Sequence, residues 1–379
     1  MALSPTSFLH FSDKRIEKAL PWIVLLLALI VKFSYWAVTG IRFGGDSNFY
    51  LTITRSFLHL TSGLAPYPIY YNGYPFFMAI ISKIVGFSNL IPVVIGTQII
   101  LSAISCVFLF QTCKLLSANR IISFGLSALY ICNFEVLNWD RYILTDSFNL
   151  SLVIIMIYMI LRWTRLKNKF CLFALWIPFL LITLFFTRPT NLVLISLTIV
   201  FVLIQAFSPS LKTLTISTFF LCVGLVVLWF PVSQTQFYKG MSDFSTKNLI
   251  RGEVINDSPD QDINQNFQWE TASKLKKATF ISKVFLKRTV YFWTISLDRY
   301  SLSHKILNWV WLFPFFLAGW ISMIALWLKA RSVETFYITV MILAYVVFQS
   351  LMIIDFDFRY RIMVMPFLVL AIAKASKNY

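Results

Sequence analysis

Lys14-Arg15-Ile16-Glu17-Lys18 opens onto an apolar run from about Ala19 to Ile41, whose centre reads Ile23-Val24-Leu25-Leu26-Leu27-Ala28-Leu29-Ile30-Val31. An α-helix needs about 20 apolar residues to cross about 30 Å of hydrocarbon, and this run has that length. The cations before it predict a cytoplasmic start. The run exceeds the roughly 7–15 residues of a secretory h-region and is followed by no obvious small-residue cleavage site, which predicts a retained first helix.

Working outward, the rest of the chain has the same character. Of its 379 residues, 58% are hydrophobic and 13% charged, with 38 Phe, 12 Trp, 16 Tyr and a mean hydropathy of +0.75. This excludes an ordinary soluble domain, a disordered tail, a collagen and a disulfide scaffold, and points to a polytopic membrane protein. The net charge of +17, from 33 Lys and Arg against 16 Asp and Glu, sits in short clusters between apolar runs. Such clusters form no continuous basic face, so a nucleic-acid partner is not expected. Cys106, Cys113, Cys132, Cys171 and Cys222 lie in apolar surroundings without CxxC or Cys/His spacing, and read as small core residues.

The hydropathy pattern predicts an all-α protein with helices near 19–41, 90–116, 121–137, 144–162, 170–186, 190–207, 211–232, 306–328, 334–354 and 361–376. That is about ten crossings, with a range of roughly 9–12, and both termini inside. Charge supports the alternation. The loops assigned to the cytoplasm hold Lys14, Arg15, Lys18, Lys114, Arg120, Arg162, Arg165, Lys167, Lys169, Lys212, Lys329, Arg331, Lys374 and Lys377; the short outer loops hold half as many, Arg42, Arg55, Lys83, Arg141, Arg188, Arg359 and Arg361.

Two outer segments stand apart. The first, 42–87, carries two stretches able to form surface helices, Ser47 to Leu60 and Pro75 to Val85, separated by Tyr67-Pro68-Ile69-Tyr70-Tyr71-Asn72-Gly73-Tyr74-Pro75, where Pro and Gly enforce turns. The second, 233–305, is roughly 70 residues long. Its part from Thr271 to Trp293 mixes Lys274, Lys276, Lys277, Lys283, Lys287 and Arg288 with Leu275, Ile281, Val284 and Phe285, the pattern of a basic interfacial helix.

Carboxylates beside hydrocarbon are costly, so the few present are informative. Asp46 follows the first helix in Arg42-Phe43-Gly44-Gly45-Asp46-Ser47, and Asp146 sits in Leu144-Thr145-Asp146-Ser147 after Asn138-Trp139-Asp140-Arg141-Tyr142. The topology brings both to the outer face. Each also has a plain reading as a helix cap. Arg188, Arg359 and Arg361 lie outside against the charge bias; they either snorkel to headgroups or clamp a phosphate, which a guanidinium matches bidentately. His59 reads as structural. Asp257, Asp260 and Asp262 read as a solvated loop, because their spacing lacks the Gly and terminal Glu of a calcium loop.

In order along the chain, Asp46, Tyr71-Asn72-Gly73-Tyr74-Pro75, Arg141-Tyr142-Ile143-Leu144-Thr145-Asp146, Thr187-Arg188-Pro189 and Arg359-Tyr360-Arg361 resemble the GT-C membrane glycosyltransferases. The branch most similar comprises the bacterial relatives of protein O-mannosyltransferases and of the aminoarabinose transferase that modifies lipid A. The resemblance spans essentially the whole chain. It implies a GT-C fold in a bacterial inner membrane and inverting transfer of a sugar from a polyprenyl-phosphate carrier to a glycolipid, polysaccharide or protein on the outer side. It implies Asp46 as catalytic base and Asp146 as the second acidic residue. Arg188, Arg359 and Arg361, with Lys83 in reserve, would meet the donor phosphate, and Tyr71, Tyr74, Asp140 and Arg141 would line the acceptor and sugar pocket. No organic cofactor is implied; a divalent metal, used by some members, stays open. Many relatives have Asp-Glu where this chain has Asp46-Ser47. Competing readings are a polytopic transporter or lipid flippase, and a polysaccharide polymerase or ligase, which also carries basic residues in a large outer loop.

Overall fold

The computed structural model describes residues 14–59, 71–117, 119–166, 172–188, 190–207, 271–296, 300–329, 332–352 and 361–378. Within them the chain is helical, and its β-type pairing is an isolated parallel bridge between Arg42 and Tyr142. Among the described residues five helices are long and apolar enough to cross a membrane, and a sixth span arises if one bent pair is counted together. The chain is a helical membrane protein. The expected helix at 211–232, and 233–270 of the expected large outer loop, lie outside the described residues.

The first span, α1 (Lys14–Thr39), begins five residues before the apolar run because Glu17 is held by Lys114 at 2.5 Å and Arg120 at 3.0 Å. It ends at Gly40, whose φ of 69° leaves the helical region at little cost to a residue without Cβ. Next come α2 (Ser47–His59) and α3 (Gly73–Val85), the two helices expected within 42–87. Helix α3 starts two residues before Pro75; a proline is tolerated in the first turn, where its missing N–H has no acceptor to satisfy.

The central span is α4 (Leu90–Ser117), which packs on α1, on α5 (Arg120–Ile131) and on α7 (Thr145–Thr164). The single helix predicted at 121–137 is corrected to two, α5 and α6 (Phe134–Asp140), bent by 55°. Asn133 is the cause. Its extended backbone (φ −66°, ψ 119°) interrupts the helix while its side chain accepts from the N–H groups of Glu135 and Val136, capping the new one. After α8 (Leu172–Phe185) and α9 (Asn191–Phe207) come α10 (Lys274–Phe292), α11 (Leu302–Lys329), α12 (Val333–Met352), a short 3-10 turn at Ile362–Val364, and α13 (Met365–Ala375). Helix α13 is buried over nearly its whole surface against α4, α5, α11 and α12. At Gly319 of α11 an added Cβ would lie 2.7 Å from Leu368 Cδ2, so the absent side chain lets the two helices approach closely.

The two ends of the bundle differ chemically. One end gathers Glu17 with Lys114 and Arg120, and Glu334 with Arg165 at 2.9 Å and Lys374 at 2.5 Å. The opposite end carries Arg42, Asp46, Asp140, Arg141, Asp146, Arg188 and Arg361, as the helix directions require.

Candidate functional site

At that opposite end four short segments close on one another. The Arg42 N–H donates to the Arg141 carbonyl at 3.0 Å, and the Ile143 N–H donates back to the Arg42 carbonyl at 3.3 Å. The Gly44 N–H donates to Ser47 Oγ at 2.8 Å, and Ser47 Oγ donates to the Ile143 carbonyl at 2.9 Å. Gly44 permits this approach, since a Cβ there would sit 2.7 Å from Leu144 Cδ1. On the other side the Gly73 N–H donates to the Phe186 carbonyl at 2.7 Å. The loop after α1, the start of α3, the start of α7 and the turn after α8 thereby form one wall.

Asp46 lies exposed on that wall, immediately before α2, and its carbonyl accepts the Tyr50 N–H at 3.1 Å. Asp146 is fully buried in the first turn of α7, where its Oδ1 accepts a 2.6 Å hydrogen bond from Arg188 Nη1. Arg188 is itself 6% exposed. Below the pair, Asn191 Nδ2 donates to Asn149 Oδ1 at 2.6 Å and to the Leu184 carbonyl at 2.7 Å, which fixes the turn that carries Arg188. Tyr345 of α12 reaches the same turn by donating to Thr190 Oγ1 at 3.4 Å. A carboxylate this deep is tolerable because a guanidinium neutralises it at hydrogen-bonding distance.

Asp140 and Arg141 sit lower and deeper than an open pocket wall. Asp140 Oδ2 accepts from Lys32 Nζ at 2.6 Å and Oδ1 from Ser147 Oγ at 2.5 Å, all three residues being buried. Arg141 donates to Asn138 Oδ1 at 2.7 and 3.2 Å and to the Thr39 carbonyl at 2.9 Å, with its guanidinium 5.4 Å from the Tyr35 ring centre. Tyr74 is fully buried and donates to Gln98 Oε1, while Gln98 Nε2 donates to the Tyr142 carbonyl at 3.1 Å. Tyr71 is half-buried, edge-on to Phe49 at 6.0 Å.

The remaining candidates divide. Arg361 is buried and donates to the carbonyls of Thr294 and Phe292, tying the start of the last helix to the end of α10. Met363 Sδ, two residues on, lies 3.5 Å from Asn149 Nδ2, which places this segment one turn of α7 from Asp146. Lys83 is exposed in the last turn of α3, ten residues and so about 15 Å along the axis from Gly73. Arg359 lies outside the described residues, as do Asp257, Asp260 and Asp262.

Several polar residues gained no role from the sequence pattern. Lys32 was legible as a charge inside an apolar span, a sign of either function or a buried partner. Glu135, 2% exposed, has its Oε1 2.7 Å from His304 Nε2, and the imidazole stacks on Tyr300 with ring centres 4.1 Å apart. Nothing in local spacing joins residues so far apart in the chain.

Among the described residues no three His, Cys, Asp or Glu side chains come together as metal ligands. The donor chemistry agrees, since Asp140 is neutralised by Lys32 and Asp146 by Arg188. These carboxylates do not fit a divalent metal. Compared with known protein families and with curated proteins, the chain gives no match.

Proposed function

We propose that this chain is an inverting membrane glycosyltransferase of GT-C type, which moves a sugar from a polyprenyl-phosphate carrier to an acceptor at the end of the bundle that holds Asp46. The observation that carries the proposal is the joining of an exposed carboxylate, Asp46, to a wall whose core is the buried Asp146–Arg188 pair. These are the two kinds of group the reaction needs. The acceptor hydroxyl attacks the anomeric carbon, Asp46 takes its proton, and the bond from that carbon to the carrier phosphate oxygen breaks. A positioned base of this kind contributes about 10²–10⁴-fold. Negative charge develops on the leaving phosphate. Arg188, held by Asp146, carries the guanidinium that meets that charge.

The remaining parts have consistent roles. Lipid-facing helices would hold the isoprenoid tail, and α2 and α3 would lie along the surface beside the donor. The reading adopts about ten crossings, with the Glu17 and Glu334 clusters cytoplasmic under the positive-inside rule and a bacterial inner membrane as the site. Glycolipid, polysaccharide and protein remain the acceptor classes.

A transporter reading draws on Lys32–Asp140, since ionisable pairs within a membrane often mark ion paths. Here both Asp140 oxygens are engaged, by Lys32 and Ser147, which favours a fixed structural pair. Incubating the purified chain with labelled sugars on short-chain polyprenyl phosphates and a crude envelope fraction tests the proposal. Transfer to an envelope component is expected. No transfer and no donor hydrolysis across a panel of sugars, with folded protein, would sink it.

A further inference from the structure

Helix α10 carries two distinct faces. Phe280, Val284, Arg288 and Phe292, spaced four apart, are buried and turn toward α12. Leu275, Leu286 and Val290 lie on the other side and are 78%, 64% and 60% exposed. Leu275 and Leu286 are separated by about three full turns, and Val290 follows Leu286 by four residues, so the three share one stripe. Lys276 and Lys283, a heptad apart and both exposed, border that stripe on one side.

The height of this stripe is fixed by one hydrogen bond. Thr289 Oγ1 donates to Ser350 Oγ at 3.0 Å, and Ser350 is the last residue of the apolar span Val333–Ser350. Thr289 therefore sits level with the last turn of that span, close to the end of an apolar sequence that continues through Leu351-Met352-Ile353-Ile354. At about 1.5 Å per residue, Leu286 and Val290 lie within about 5 Å of Thr289 along the axis, Lys283 within about 9 Å and Lys276 within about 20 Å, so all four share one level when the helix lies along the membrane surface. An apolar stripe at this depth with lysines along its edge matches a lipid surface bearing negative phosphates: the side chains enter the acyl boundary and the ammonium groups reach the headgroups.

We infer that the exposed face of α10 is a docking surface for anionic phospholipid, with Leu286 and Val290 embedded and Lys276 and Lys283 paired to headgroup phosphates. The inference rests on the membrane placement alone and is independent of the transferase reading.

The test uses the full chain in lipid nanodiscs containing phosphatidylcholine and phosphatidylglycerol. A nitroxide is attached at Leu286→Cys, with the unsubstituted chain treated alike as background, and its collisions with oxygen and with a water-soluble nickel chelate are compared. Oxygen is expected to dominate. In native mass spectrometry the Lys276→Gln/Lys283→Gln variant, unchanged in elution volume, is expected to retain severalfold less phosphatidylglycerol than the unsubstituted chain. Dominance of the nickel chelate would place the face in water, and exclusion of both probes would place it under protein, whether another segment or a second copy. Either result, or undiminished phosphatidylglycerol in the double variant, would overturn the inference.

Discussion

Ser147 donates its hydroxyl proton to Asp140 Oδ1 at 2.5 Å, and so joins the buried Lys32–Asp140 ion pair to the residue that follows Asp146. Three elements meet there, because Lys32 lies in α1, Asp140 ends α6 and Ser147 lies in the first turn of α7. The broken helix pair α5–α6 is thus pinned at its far end. The wall that holds Asp46 joins the chain just before that turn of α7, through the contact of Ser47 with Ile143.

This arrangement predicts a strong non-additive effect. Lys32→Met alone leaves the Asp140 carboxylate buried without its cation, and should cost about 3–5 kcal/mol of stability. Asp140→Asn alone strands the ammonium and should cost a similar amount. The double substitution Lys32→Met/Asp140→Asn removes both charges, and should be clearly less damaging than the sum. Thermal unfolding in one detergent measures all three, and simple additivity would show that the pair contributes no coupling.

Asp146 and Arg188 should behave alike in stability and differently in activity. Arg188→Ala should destabilise by about 3–5 kcal/mol, because Asp146 is left fully buried without its cation. The proposed clamp adds a kinetic consequence: the variant should need more lipid donor to reach half-maximal rate. Donor titration of Arg188→Ala against Asp146→Asn separates the roles, and unchanged donor dependence in Arg188→Ala would remove the clamp.

Two glycines on the wall should differ in tolerance. An added Cβ at Gly73 would meet the Phe186 carbonyl oxygen at 2.9 Å, and backbone cannot easily yield. At Gly44 the nearest atom is Leu144 Cδ1 at 2.7 Å, the end of a flexible side chain. Gly73→Ala should therefore lower the unfolding temperature by several degrees, about 1–3 kcal/mol, and Gly44→Ala by less. Equal effects would mean that the first loop is as rigid as the turn after α8.

Much of this architecture was legible in the chain because membrane spans obey a length rule and a charge rule. Helices near 90–116, 144–162 and 306–328 emerge within a few residues of their predicted bounds, and the cations predicted to share one face do meet there, as Lys114, Arg120, Arg165 and Lys374 show around Glu17 and Glu334. The break at Asn133 was missed because hydropathy alone does not register a cap. Asp46, Asp146 and Arg188 were nominated from polarity beside hydrocarbon, and the structure sets them on one wall. What spacing could not reveal was which carboxylates are neutralised. Asp140 is engaged by a lysine 108 positions away, and Asp146 by an arginine 42 positions away. Only folding brings such partners together, and it buries Asp140 and Asp146 while Asp46 lies exposed.

The central claim is that Asp46 is the base of a sugar transfer from a lipid phosphate, and one comparison tests it most directly. Unsubstituted chain and Asp46→Asn, matched for folding by elution volume and unfolding temperature, are given the same labelled polyprenyl-phosphate sugar and acceptor fraction. Transfer should fall by about 10²–10⁴-fold in the variant, with donor affinity little changed. Transfer retained in Asp46→Asn would contradict the account.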